Sequence, residues 1–425
     1  MHGTTSSASR PVQASPTFAD EEVAAAWSLF CFNWRLLAGI TGVTVASLVT
    51  TKFYIQPAGY VAVFAIAGVY WWFGRRGAQS SARTYPKIFF SFIALAQLVL
   101  AVPITLTLTY IAISIDLPLQ DARLLALDRT LGFDFRSFLD LTNRHRELIA
   151  PLGFSYSTIG PQLLVATLAL PLVGCYRRGA EMLCAYMLSV LVTTIVSALV
   201  PAIGVYGALG LHASDFPQLE PHGYYDTLRD APLVRDGELR ELSLLHLVGV
   251  LTFPSFHAVS AILYIWAFWP LRWARLLIIP LNVLMIVATP LGGGHYLVDV
   301  LAGILVAIVA IGTTREVSEL PALNRRNMAA PSSHAAARLT IIRASALTAR
   351  WFCARLLAPR PSASPGLRAS SGRTLSSTSR SGSGPHCCSP VPEQRTSGIA
   401  ALQLSGSEFR IHTCENAERG CGCLL

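Results

Sequence analysis

The reading of this chain turns on Pro254-Ser255-Phe256-His257-Ala258 and Gly292-Gly293-Gly294-His295-Tyr296-Leu297-Val298-Asp299. Each histidine opens an apolar run that reads as a helix. Two such runs lie between them, broken only at Leu271-Arg272-Trp273-Ala274-Arg275, so the spacing predicts a chain that crosses a membrane, turns and returns. Both histidines then fall on one membrane face.

An imidazole beside hydrocarbon is costly without a partner or a task. His295 and Asp299 are four residues apart, which on a helix puts them on one face. The carboxylate can then hold the proton on one ring nitrogen and leave the other free as a nucleophile. His257, from the neighbouring helix, is placed to act as general acid. Backbone N–H groups at the two helix starts, with Ser255 at one and Gly293 and Gly294 at the other, suit a phosphate.

Pro-Ser-x-His followed by His-x-x-x-Asp, in the form Gly293-Gly294-His295-Tyr296, resembles the phosphatidic acid phosphatase type 2 superfamily, and within it the inositol phosphorylceramide synthase branch. The resemblance implies that His295 attacks phosphorus, Asp299 orients it and His257 protonates the leaving oxygen, with no cofactor and no metal. Ser255, Gly293 and Gly294 are the corresponding substrate-binding positions. Two departures accompany it. Thr289 stands where the general pattern has an arginine six residues before the nucleophile, and no Lys-x6-Arg-Pro element occurs upstream, where the end of a predicted span reads Leu199-Val200-Pro201-Ala202-Ile203-Gly204. The phosphate clamp is therefore not carried over, and an arginine of the outer loops (Arg123, Arg129, Arg136, Arg240) is expected to supply the missing charge.

Composition agrees with a membrane protein: 52% of the 425 residues are hydrophobic, 13% are charged and the mean hydropathy is +0.49. The net charge of +9 does not argue for a nucleic-acid partner. Residues 1–321 hold 20 basic and 20 acidic side chains, and the excess comes from 13 arginines against 4 glutamates in residues 322–425. The nine cysteines show no zinc-ligand spacing with histidine.

These observations predict an all-α polytopic transmembrane bundle of about eight spanning helices. A polar leader occupies 1–34, the membrane domain 35–321, and a disordered Arg/Ser/Pro-rich tail 322–425. The predicted spans are 35–51, 57–73, 88–114, 152–175, 180–203, 255–270, 276–291 and 295–313. Positive charge in the short connections (Arg75, Arg76, Arg83 and Lys87; Arg177 and Arg178; Arg272 and Arg275; Arg315) falls on one side, which marks it as cytoplasmic and puts His257 and His295 on the extracytoplasmic face of the plasma (inner) membrane. The connection 115–151 mixes charges with Leu and Phe, as interfacial helices do. Tyr296 reads as an interface anchor, and His222 and His246 as exposed bystanders.

The expected activity is a membrane phosphotransferase acting on a lipid phosphate ester, through a phosphohistidine on His295. A lipid phosphate phosphatase with water as acceptor, a non-catalytic transporter or scaffold, and a metal site made of His257, His295 and Asp299 are the alternatives. The expected partner is a lipid substrate in the membrane.

Overall fold

The computed structural model describes residues 18–80 and 85–329. In chain order the helices are α1 (Phe18–Thr51), α2 (Pro57–Ser80), α3 (Pro86–Ile113), α4 (Asp121–Thr130), α5 (Phe135–Arg144), α6 (Arg146–Ser157), α7 (Ile159–Leu172), α8 (Tyr176–Leu199), α9 (Val205–Ala208), α10 (His222–Asp236), α11 (Phe256–Phe268), α12 (Arg272–Gly293) and α13 (Leu297–Ala329). Strands β1 (Tyr54–Ile55) and β2 (Glu241–Leu242) form one short parallel pair, Tyr54 opposite Glu241.

The all-α membrane class is as the hydropathy predicts, but the number of crossings differs. Among the described residues, six helices are long and apolar enough to span a bilayer, or seven if α6 and α7, bent by 50° where they meet, count as one span. The predicted span 255–270 is the 13-residue α11, about 20 Å long and shorter than an ordinary single crossing. It is enclosed by other helices, with Ala258, Val259, Ala261, Leu263, Tyr264 and Ala267 buried. Hydropathy alone cannot separate an enclosed helix from a lipid-facing one.

The first predicted span also begins too late. Helix α1 starts at Phe18, inside the expected leader, and its apolar stretch runs from Glu21 to Thr51. Ala26, Leu29 and Phe30 are buried, Phe30 stacks on Phe90 at 5.5 Å, and Asn33 donates to the Ala180 carbonyl at 2.9 Å. Polar Asn33 therefore marks a contact between helices rather than the membrane edge. At the other end α13 continues to Ala329; the tail beyond lies outside the described residues.

In hydrocarbon, helices associate through close packing and interhelical hydrogen bonds more than through exclusion of water, and small residues permit the approach. Ala26, Ala94, Ala166, Ala180, Ala185, Ala267 and Ala307 fill that role in the core of α1, α3, α7, α8, α11 and α13. Gln97 donates to the Phe30 carbonyl at 2.8 Å and Asn282 to Gln162 at 2.8 Å, each bond contributing about 0.6–2 kcal/mol in such settings.

The connections gather at one end of the bundle. Asp121 accepts the N–H groups of Ile203 and Gly204, Arg235 pairs with Asp116 at 2.6 Å, and β1 joins β2. The predicted interfacial helices of 115–151 are part of this assembly: Leu124, Phe135 and Leu139 are buried against Tyr206, Phe216, Tyr224, Leu291 and Tyr296. Arg178 and Arg315 lie at the opposite end, 4.4 Å and 5.9 Å from the Trp266 ring. Trp266 is nine residues beyond His257, about 13 Å along α11. Arg178 and Arg315 are thus set apart from His257 along the bundle.

Candidate active site

Helix α11 begins where Ser255 leaves the extended conformation, its hydroxyl 3.5 Å from the Ala258 N–H. The Ser255 N–H donates to the Asp299 carbonyl at 3.1 Å, tying the start of α11 to the first turn of α13. Gly303 makes this crossing feasible, since a Cβ there would collide with the Ser255 carbonyl oxygen.

The second motif is built by a tight turn. Helix α12 ends at Gly293, and Gly294 takes a left-handed conformation, φ +66, that a side chain disfavours. The Gly294 carbonyl accepts the Val205 N–H at 2.8 Å, and the Tyr206 hydroxyl donates to the Leu291 carbonyl at 2.8 Å. The turn is thereby fixed to α9 before α13 starts.

His295 is 3% exposed, with Nδ1 3.3 Å from Asp299 Oδ2. That same oxygen accepts the Tyr296 N–H at 3.0 Å. Nε2 is left on the other side of the ring, 2.7 Å from where a Cβ on Gly293 would lie. A side chain at 293 would fill the space in front of this nitrogen. The predicted pairing of histidine and aspartate is present, and it leaves Nε2 available.

His257 reaches the same place through a residue that the motifs do not contain. The Tyr156 ring, on α6, stacks on His257 with centroids 3.8 Å apart and planes at 10°. It covers Gly292, whose added Cβ would be 2.8 Å from Tyr156 Cγ, and its hydroxyl is 2.8 Å from the Gly293 Cβ position. Tyr156 and His295 therefore meet at Gly293, with His257 stacked on the tyrosine ring and Asp299 paired with the histidine. Tyr156 lies in an apolar helix about a hundred residues upstream, and only its aromatic character marked it in the sequence.

Helix α4 supplies two further groups. Asp128, 1% exposed, accepts the Leu297 N–H at 2.8 Å and the Val298 N–H at 2.9 Å, and so caps α13 from outside. Burial holds its carboxyl above the ordinary aspartate range, opposed by those two N–H donors. Asp121, two turns earlier on the same face, accepts the Tyr296 hydroxyl at 2.9 Å. Tyr296 is fully buried, which corrects its reading as an interface anchor: its hydroxyl finds a partner inside the protein. His222 and His246 are exposed, as expected.

The anion-binding expectation changes in detail. The N–H groups at the start of α13 are occupied by Asp128 and Asp299, so a phosphate cannot use them without displacing a carboxylate. At α11, the N–H groups of Phe256 and His257 make no hydrogen bond among the described residues. Thr289 is buried, with its hydroxyl donating to the Met285 carbonyl at 2.7 Å. Arg136 is held by the Leu209 carbonyl at 3.0 Å, and Arg240 by the Val234 carbonyl at 3.0 Å and the Phe53 ring at 4.7 Å. Arg123 and Arg129 lie on the exposed side of α4. Among the described residues no three His, Cys, Asp or Glu side chains converge as a metal site would require.

A helical membrane bundle whose histidines and aspartate meet at one end defines the class. Residues 122–313 match the family model of the PAP2 superfamily, a region that runs from α4 into α13 and contains Asp128, Tyr156, His257, His295 and Asp299. No curated protein and no solved structure matches the chain.

Proposed function

We propose that this chain moves a phosphate ester between a membrane lipid and an acceptor hydroxyl through a covalent intermediate on His295. The buried His295–Asp299 pair, with Nε2 facing the space beside Gly293 and Tyr156, is the observation that carries this reading. In the first step His295 Nε2 attacks phosphorus. The bond from phosphorus to the lipid oxygen breaks, and His257 gives that oxygen a proton. In the second step the acceptor hydroxyl loses its proton to His257 and attacks phosphorus, and the P–N bond breaks. Asp299 holds the Nδ1 proton and offsets the charge of the imidazolium.

A lipid hydroxyl is the acceptor favoured here, because Gly293-Gly294-His295-Tyr296 and the buried Thr289 follow the inositolphosphotransferase-like branch rather than the general phosphatase pattern. The phosphate rests against Gly293 and the first turn of α11, after Ser255, where two N–H groups are available. The positive charge of the short connections, which the positive-inside rule assigns to the cytoplasm, supports a reaction on the extracytoplasmic leaflet.

Lipid profiling tests the reading. A strain lacking the gene is compared with strains restored by wild type or by His295→Ala. Accumulation of a phospholipid donor and loss of a head-group-bearing lipid product, both reversed by wild type alone, are expected. Reversal by His295→Ala would refute the covalent route, and appearance of free phosphate without a lipid product would assign water as the acceptor.

A further inference from the structure

Tyr156 is held in an unusual setting for a tyrosine in an apolar helix. A phenol that is largely enclosed ordinarily finds a hydrogen-bond partner in the protein. The Tyr156 hydroxyl has none among the described residues, although its ring is fixed on both faces of the problem: it stacks on His257 at 3.8 Å and covers Gly292. Three glycines admit it. A Cβ on Gly292 would be 2.8 Å from the ring, a Cβ on Gly293 would be 2.8 Å from the hydroxyl, and a Cβ on Gly223, in α10, would overlap the hydroxyl. The point 2.8 Å from the hydroxyl is also 2.7 Å from His295 Nε2.

The free nitrogen and the unpartnered hydroxyl thus border one small space. A phosphoryl group bonded to Nε2 must put its oxygens into that space, and the site needs donors there: Thr289 is turned to its own helix and the first-turn N–H groups of α13 are occupied. Donors aimed at developing negative charge are the largest single contribution in many such sites.

We infer that Tyr156 is a third reacting-centre residue, whose hydroxyl donates a hydrogen bond to a non-bridging phosphoryl oxygen while its ring holds the His257 imidazole in the plane needed for proton transfer. The inference rests on the proposed phosphohistidine chemistry. The hydroxyl remains protonated throughout, and no bond to Tyr156 forms or breaks.

Orthovanadate, which mimics a five-coordinate phosphoryl group, is the probe, and its dissociation constant is measured on full-length protein in detergent. Wild type binds, and His295→Ala does not. Tyr156→Phe keeps the stack and loses the donor, so binding weakens about 10- to 100-fold, as removal of one hydrogen bond to a charged group predicts. Gly223→Ala, which keeps the tyrosine but displaces its hydroxyl, weakens binding to a similar degree. Unchanged thermal unfolding of Tyr156→Phe separates this loss from misfolding. If His295→Ala binds vanadate as well as wild type, the phosphohistidine reading fails. If His295→Ala abolishes binding but Tyr156→Phe binds like wild type, the reading stands and the role of Tyr156 is overturned.

Discussion

His295 and His257 differ in what surrounds them, and the difference predicts different consequences of removing them. His295 is sealed and paired with Asp299; His257 is half-buried and held by a ring stack rather than by a carboxylate. His295→Ala should therefore abolish phosphoryl-enzyme formation from every donor. His257→Ala should be about 100- to 10,000-fold slower with a lipid alcohol as leaving group, and should recover most of that loss on an aryl ester, whose oxide leaves without a proton. Single-turnover rates on paired alkyl and aryl donors check this. Equal loss on both would remove His257 from the role of general acid.

At the scale of elements, α4 anchors the start of α13, next to the proposed nucleophile His295. Asp128→Ala leaves the Leu297 and Val298 N–H groups without an acceptor in a buried place, a loss of about 1–3 kcal/mol, and frees the start of α13 to shift. A lower unfolding temperature and slower turnover are expected, with Asp128→Asn milder because one amide oxygen still accepts. An Asp128→Ala protein as stable and active as wild type would show that α4 is dispensable. Helix α10 offers a pH-dependent counterpart. Burial pushes the Asp230 carboxyl up, but hydrogen bonds from Arg229 at 2.5 Å and Tyr110 at 2.5 Å outweigh it, so its pKa lies below the ordinary aspartate value. A depressed folded-state pKa gives stability that is complete above the unfolded-state value and is lost as pH falls through the folded one. Melting curves recorded through the acidic range should show that loss in wild type and a flatter dependence in Asp230→Asn.

For the whole molecule, the two ends of the bundle make opposite predictions. Leu245 is 88% exposed in the connection before α11, and Trp273 is 70% exposed at the start of α12, beyond the far end of α11. In intact cells Leu245→Cys should react with a membrane-impermeant thiol reagent above the wild-type background, and Trp273→Cys should not. The reverse pattern would place the histidines on the cytoplasmic leaflet and change the pool of lipid that they meet.

The His295–Asp299 pair was legible in the sequence because it is local: the two residues are four apart, and one helical turn is enough to bring them together. Helical class and the neutral membrane domain were legible for the same reason, since both are sums over short stretches. What could not be read involves residues that meet only when helices pack. The leader expected over 1–34 becomes helix from Phe18 once Phe30 and Asn33 find partners on other helices, and Tyr296 looks like an anchor until Asp121 accepts its hydroxyl. The three glycines suggest flexibility for a ligand; in the fold they are the clearance for Tyr156, Tyr224 and the His295 ring. Sequence spacing picked out the side chains proposed to carry the reaction. Tertiary packing alone decided what holds them, because Asp128 and Tyr156 lie more than 100 residues from the histidines that they serve and reach them only across the bundle.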